Sequence, residues 1–402
     1  MAGAADNDPS GLSTYAIAGA TNGYAMLWLI ALSTPMVAVI AGMCARISIV
    51  TGHGLAATIR ERFPRLLGIA LAALVITANT INVGADLGGM SAAAHLVVGL
   101  PVDVYVIAFG TLVAITQVRL PYRAVAAVVK TLALALFAAL LVAFAIVTAA
   151  HVHPNWLAVA RGLTLPALRF DRAWLATTVA VLGTTITPYL FFWVSALVVE
   201  ARKSDPHAVA PDPDRMRDAH ADVNAGMIGA NLAALAVMIV AAAAAASPGA
   251  HALAAMPDAL AALRPLLGDA TAIAFAIGMI GTGLLAVPAL VDSSAFIAAE
   301  TFGFRAGFGE TPQRAGRFYA VILAGVAAGM LMNAFHVDAL AALFWAAIGN
   351  GFAAVPLIAV IVALASDRRL MGPWRSSRLA IAWGWTTTAV MACAAAGLVF
   401  TH

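Results

Sequence analysis

Gly3-Ala4-Ala5-Asp6-Asn7-Asp8-Pro9-Ser10-Gly11 opens the chain, and an apolar stretch over about 10–22 leads away from it. Pro9 carries no backbone donor and pushes Asp8 away from α geometry, so a regular helix cannot run through this pair. A carboxylate near the centre of a bilayer costs about 2.5–3.5 kcal/mol even on the mildest scale. Residue types alone leave two readings level. One is a solvated cap, with Asp8 at N-cap and Pro9 at the first helical position; the other is a helix broken inside the membrane. A second stretch, Gly183-Thr184-Thr185-Ile186-Thr187-Pro188-Tyr189, favours the broken helix, because there too Pro interrupts an apolar helix, after a β-branched run rich in hydroxyls. The breaks stand about 180 residues apart, with four full spans between them. Each then heads a half of five spans, and the halves run in opposite senses. X-Pro breaks at corresponding positions are the signature of an inverted-repeat transporter, with its site where they meet. Freed carbonyls and half-helix ends would face a cation there, and Asp8 supplies the only full charge.

Composition agrees with a membrane chain. Of 402 residues, 63% are apolar and 10% charged, against roughly 25% charged in a soluble domain. Apolar spans are predicted at about 25–46, 66–98, 103–118, 125–150, 173–200, 222–247, 269–299, 316–335, 339–365 and 378–400. Lys203–His220, with Pro206, Pro211 and Pro213, reads as a disordered linker. We expect one integral-membrane domain over 1–402: a first repeat over about 1–150, a second over about 173–365 and an extra helix over 378–400. The fold class is therefore all-α and polytopic. Of 22 Lys and Arg, 18 fall in one alternating set of loops, and the other set holds only Arg161, Arg169, Arg172 and Arg264. By the positive-inside rule the rich set is cytoplasmic, which puts the C-terminus outside a cytoplasmic (inner) membrane and the complete protein's N-terminus inside. The net charge of +3 follows this lipid topology and does not indicate a nucleic-acid partner. Cys44 and Cys393 are too few for a disulfide or thiolate scaffold. Met1–Pro9 has no basic region or long apolar core of a signal peptide. No HExxH, nucleophile elbow or P-loop supports an enzyme, and no cofactor or obligatory protein partner is indicated.

The motifs carry a family resemblance. Asp8-Pro9-Ser10-Gly11 resembles the Asp-Pro-Gly-Asn of the first helix in the Nramp (natural resistance-associated macrophage protein) family. Ala45–Ala56 is similar to the stretch that closes the family's second helix, and Ser366–Gly372 to the segment after its tenth. Thr184-Thr185-Ile186-Thr187-Pro188-Tyr189 falls where the family has Ala-Thr-Val-Met-Pro-His. The resemblance runs through nearly the whole chain. It implies a LeuT-type fold of eleven or twelve helices that exposes a central divalent-metal site alternately to either side.

Departures from the family pattern bear on the ion. The resemblance implies a metal held by an Asp, an Asn and a Met in manganese and iron transporters. Here Asp8 stands at the Asp, Gly11 replaces the Asn, Thr187 replaces the Met, and Thr184 replaces the Ala whose carbonyl faces the metal. Carboxylate, hydroxyl, carbonyl and water suit hard cations better than a thioether does. Losing two bulky ligands widens the site for an ion that keeps its waters, such as Mg²⁺. The pattern resembles the family's magnesium-transporting branch, with Mn²⁺ as a second substrate. Asn350, mid-span in Ala347-Ile348-Gly349-Asn350-Gly351, stands where the family often has a polar residue near the metal; a helix-packing hydrogen bond is the competing reading. Of the third helix's two acids only Asp86 remains, with Val83 at the other position, and Tyr189 replaces the His. Asp86 is then the candidate proton or ion pathway, and weak or absent proton coupling is expected. A proton-coupled Mn²⁺/Fe²⁺ carrier and an organic-solute carrier on the same fold are the alternatives. Seven residues before Asp8 make only about 10 Å of helix, so the first half-helix is expected to be cut short.

Overall fold

The computed structural model describes residues 8–119, 154–204, 211–246, 259–335 and 337–401, and these are helical and contain no strand. The start of the opening run, residues 3–7, and the predicted span at 125–150 lie outside the described residues. In chain order the helices are α1 (Pro9–Asn22), α2 (Leu27–Thr51), α3 (Leu55–Arg62), α4 (Arg65–Val98), α5 (Val102–Arg119), α6 (Trp156–Thr164), α7 (Arg172–Thr185) and α8 (Pro188–Ser204). They continue with α9 (Pro213–Ala245), α10 (Ala259–Phe302), α11 (Gly316–Asn333), α12 (Ala339–Ser366) and α13 (Arg378–Phe400). Among the described residues nine stretches are long and apolar enough to cross a bilayer, with α1–α2 and α7–α8 each counted once. The chain is thus an all-α, multi-pass membrane protein.

Local chemistry sets the helix ends. Asp171 accepts from the Trp174 N–H at 3.0 Å to start α7, and Asp338 accepts from Ala341 at 2.7 Å to start α12. Gly52 and Gly99 close α2 and α4 at φ 71° and 82°, where a side chain would be strained. The predicted break at Pro188 is present; of the one at Pro9, only the side that begins at Asp8 lies among the described residues. α1 starts at Pro9, with Asp8 as its extended cap, and Ile186-Thr187 separates α7 from Pro188 at the head of α8. Pro188 has no N–H for the Thr184 carbonyl four residues back, so that oxygen loses its intrahelical donor.

The predicted linker is shorter than its composition suggested. α8 runs to Ser204 and α9 begins at Pro213, so 213–220 is helical and only its neighbourhood at 205–210 lies outside the described residues. Pro213 at the first position and Asp214 in the first turn are helix-starting residues, and the buried Met216 ties the extension to the bundle. α3 and α6 were not predicted as separate elements; at 8 and 9 residues both are too short to span.

Small residues set the depth of packing. A Cβ on Gly183 would come within 2.5 Å of the Gly351 amide nitrogen and 2.9 Å of its Cα. α7 and α12 therefore cross backbone to backbone, as small residues allow in lipid. α1 lies on α9 in the same way, at Gly19 against Met238, Ala241 and Ala242. α4 packs along α10, α11 and α12. These crossings bring α1, α4, α7 and α12 to one point around Asp8 and the break at Pro188.

Candidate metal site

Asp8 is fully buried, with φ −94° and ψ 169°. Its Oδ1 accepts from the Gly11 N–H at 2.6 Å and from the Ser10 hydroxyl at 2.7 Å. The capping geometry weighed at the sequence level is thus present, while the residues that would precede a break lie outside the described ones. Its other oxygen, Oδ2, has no hydrogen-bond partner. Capping uses one side of the carboxylate and leaves the other side available.

The second break comes to meet it. A Cβ on Gly11 would stand 3.1 Å from Thr184 Oγ1, 3.2 Å from Asp8 Oδ1 and 3.4 Å from a Tyr15 ring carbon. Asp8, Gly11 and Thr184 are therefore neighbours. Thr184 Oγ1 is buried and makes no hydrogen bond. The widening expected at Gly11 is offset here, because the Thr184 hydroxyl stands where a larger side chain would project. Tyr15 joins α1 to α7 directly, its hydroxyl 3.2 Å from Thr185 Oγ1, while Thr185 donates to the Val181 carbonyl at 2.6 Å. Thr187 is fully buried between the cap of α7 and the head of α8. Ser293 donates to the Tyr189 carbonyl at 3.1 Å and pins that head to α10.

α4 contributes the remaining charge. Asp86 is fully buried, its carboxylate beside the Ser10 backbone N–H without a well-formed hydrogen bond to it, and near enough to Asp8 for the two charges to repel. Asn82, four residues earlier on the same face, donates to Asn350 Oδ1 at 2.7 Å and accepts from Asn350 Nδ2 at 3.2 Å. Asn350 sits next to the Gly183–Gly351 crossing, in a reciprocal amide pair between α4 and α12. Sequence reasoning misses Ser10 and Tyr15 as neighbours of this centre and reads Asn82 as a packing group, which its amide pair with Asn350 agrees with. Ser10 is legible in principle, since a hydroxyl two residues after a capping Asp commonly bonds to it; the partners of Asn82 and Tyr15 are not, because they lie 268 and 170 residues away. Among the described residues no three His, Cys, Asp or Glu gather elsewhere as a metal cluster.

The geometry has relatives. Residues 1–401 match the sequence profile of the family described as natural resistance-associated macrophage protein-like, Nramp. A "Divalent metal cation transporter MntH" of Aeromonas hydrophila is 30% identical over 286 residues, 69% of this chain and 66% of that one. The Yersinia enterocolitica protein of the same description is 30% identical over 283 residues, 69% and 65% of the two chains. The matched stretch thus spans just under two thirds of these relatives' own length. In fold, the chain is similar to the Eremococcus coleocola manganese transporter, with TM-score 0.76 and 20% identity over 98% of this chain and 83% of that one. It is also similar to Mhp1, a nucleobase-cation-symport-1 family transporter, with TM-score 0.63 and 14% identity over 99% and 89% of the two chains. An all-α membrane bundle of LeuT type is the class that the fold defines. Within it, this chain belongs to the Nramp family.

Proposed function

We propose that the protein carries a hard divalent cation, Mg²⁺ first and Mn²⁺ second, across the membrane through the centre at Asp8. The observation that carries this reading is the set of unpartnered buried oxygens on Asp8, Asp86 and Thr184. Leaving a buried acceptor unsatisfied costs about 1–3 kcal/mol, and more for a charged one, so a cation there offsets several penalties at once. Two neighbouring carboxylates, Asp8 and Asp86, suit a charge of two. The Thr184 carbonyl released by Pro188 and the Thr187 side chain add further oxygen.

Donor chemistry supports the choice of ion. The residues assigned from the family motif, Asp8, Gly11, Thr184, Thr187 and Asn350, include no sulfur or imidazole. Oxygen donors favour Mg²⁺, Mn²⁺ and Ca²⁺ over softer transition metals. With only two carboxylates at hand, Mg²⁺ can keep most of its water shell. Relatives named as divalent metal cation transporters support the substrate class. Uptake into proteoliposomes, comparing Mg²⁺, Mn²⁺ and Ca²⁺ with Asp8→Ala as the blank, tests the reading. Mg²⁺ and Mn²⁺ should enter and Asp8→Ala should be silent; equal uptake by wild type and Asp8→Ala would remove Asp8 from the ion's path.

A further inference from the structure

A groove far from the metal centre has the chemistry of a lipid site. It encloses about 610 Å³ between α2, α9 and the start of α13, within the range of small-molecule sites. One end is polar: Arg46 from α2, His220 from α9, and Arg375, Ser376 and Ser377 before α13. The other is apolar, with Pro35, Ala38 and Val39 on α2 and Ile228 on α9. Thr34 and Arg46 lie twelve residues apart, about 18 Å along the helix axis at 1.5 Å per residue. That matches one bilayer leaflet, whose apolar half is about 15 Å deep. Along both α2 and α9 the change from apolar to polar runs the same way, and the exposed Pro35 and Ile228 open the groove sideways.

The polar end holds cations without an anion. His220 turns Nδ1 to the Met216 carbonyl at 2.5 Å, which leaves Nε2 to accept from Arg46 Nη2 at 3.3 Å. The half-buried Arg46 guanidinium carries the charge at this end. Arg46 also reaches the Trp374 carbonyl at 3.4 Å, and Arg375 donates to the Ser366 carbonyl at 2.7 Å. Among the described residues no carboxylate pairs with either arginine. Ser377 caps only the Ala380 N–H, at 3.2 Å, so the first-turn amides of α13 add further positive potential. Charge asymmetry between loops assigns this end to the cytoplasmic face, and basic pockets between helices on that face suit lipid headgroups.

We propose that this groove holds one anionic glycerophospholipid, its phosphate between Arg46 and Arg375 and an acyl chain along Val39 and Ile228. A free phosphate would satisfy the arginines but not the apolar half. The test uses the full chain, stripped of lipid in detergent and offered phosphatidylglycerol or phosphatidylcholine, with bound lipid counted by native mass spectrometry. Phosphatidylglycerol should be retained at least 10-fold over phosphatidylcholine, and Arg46→Gln with Arg375→Gln should abolish that preference. Val39→Trp, which fills the apolar half, should also expel the lipid, and inorganic phosphate at millimolar concentration should not. Equal retention of both lipids, or retention unchanged in the arginine variant, overturns the proposal. Displacement by inorganic phosphate with no effect of Val39→Trp overturns it in favour of a soluble-anion site. If the double arginine variant fails to fold, Val39→Trp decides alone: loss of lipid supports the proposal and unchanged retention refutes it.

Discussion

At Asp8 one carboxylate does two jobs that usually fall to two residues. Oδ1 ends the helix by taking the Gly11 amide and the Ser10 hydroxyl, and Oδ2 remains without a partner. Charge-assisted bonds of this kind contribute about 1.5–3 kcal/mol each, so the carboxylate is held in place before any ion arrives. Gly11 and Thr184 form a complementary pair around it. Gly11→Asn alone should cut uptake at least 10-fold, because the new side chain overlaps the Thr184 hydroxyl and overpacking costs about 1–3 kcal/mol. Adding Thr184→Ala should recover most of that loss; no recovery would mean that the two positions do not share space. Selectivity belongs to the same scale. Thr187→Met puts a thioether at the break, and in a competition assay should raise Cd²⁺ and Mn²⁺ uptake relative to Mg²⁺. An unchanged ratio would show that Thr187 does not face the ion.

Helix α4 passes the centre as a straight element and serves it twice on one face, with Asn82 and Asp86 one turn apart. The Asn82–Asn350 pair joins it to α12 exactly where α12 crosses α7 at Gly183 and Gly351. Removing one amide leaves the other buried and half-satisfied, at a cost of about 1–3 kcal/mol, whereas removing both relieves that penalty. Asn82→Ala and Asn350→Ala should each lower the thermal midpoint, and the double variant should lose clearly less than the two losses added together. Strict additivity in detergent melts would deny the pairing. If Asn350 also meets the ion, its single variant alone should weaken metal uptake beyond the effect of Asn82→Ala. Side-chain oxygens hold a short helix as well: Ser195 Oγ accepts from the Leu55 N–H at 2.7 Å and Glu300 Oε2 from the Ala57 N–H at 3.1 Å, so α3 is docked on α8 and α10.

For the whole molecule, the proposed transport raises the question of what would drive the ion. A divalent cation gains about 4.6 kcal/mol on crossing 100 mV, at about 2.3 kcal/mol per charge, which suffices for entry without another gradient. Proton relay along α4 would need successive titratable groups. Beside Asp86 stands Val83, packed on Gly329 of α11, and Tyr189 fills the position after Pro188. We therefore expect metal influx without matched acidification. Proteoliposomes with an internal pH dye should stay near neutral while Mg²⁺ or Mn²⁺ enters under a membrane potential. Acidification that follows metal influx would instead assign the protein to proton-coupled carriers, with Asp86 neighbouring Asp8 as the natural route.

The spans among the described residues, the break at Pro188 and the family pattern were legible in the residues themselves, because hydropathy and X-Pro pairs are local or additive properties of a chain. Pro9 and Pro188 interrupt a helix whatever surrounds them, and 63% apolar content leaves a chain of this length few soluble folds. Polar composition misled only at 213–220, where helix-starting residues and the buried Met216 outweighed it. What the tertiary structure decided is which oxygens meet. Thr184 stands in the space beside Gly11, Asp86 comes near enough to Asp8 for their charges to interact, and Asn350 is joined to Asn82, each through partners far apart in sequence. Such contacts depend on the depth at which small residues let α7 and α12, or α4 and α11, sink into one another, and that depth is a property of paired surfaces that neither segment carries alone.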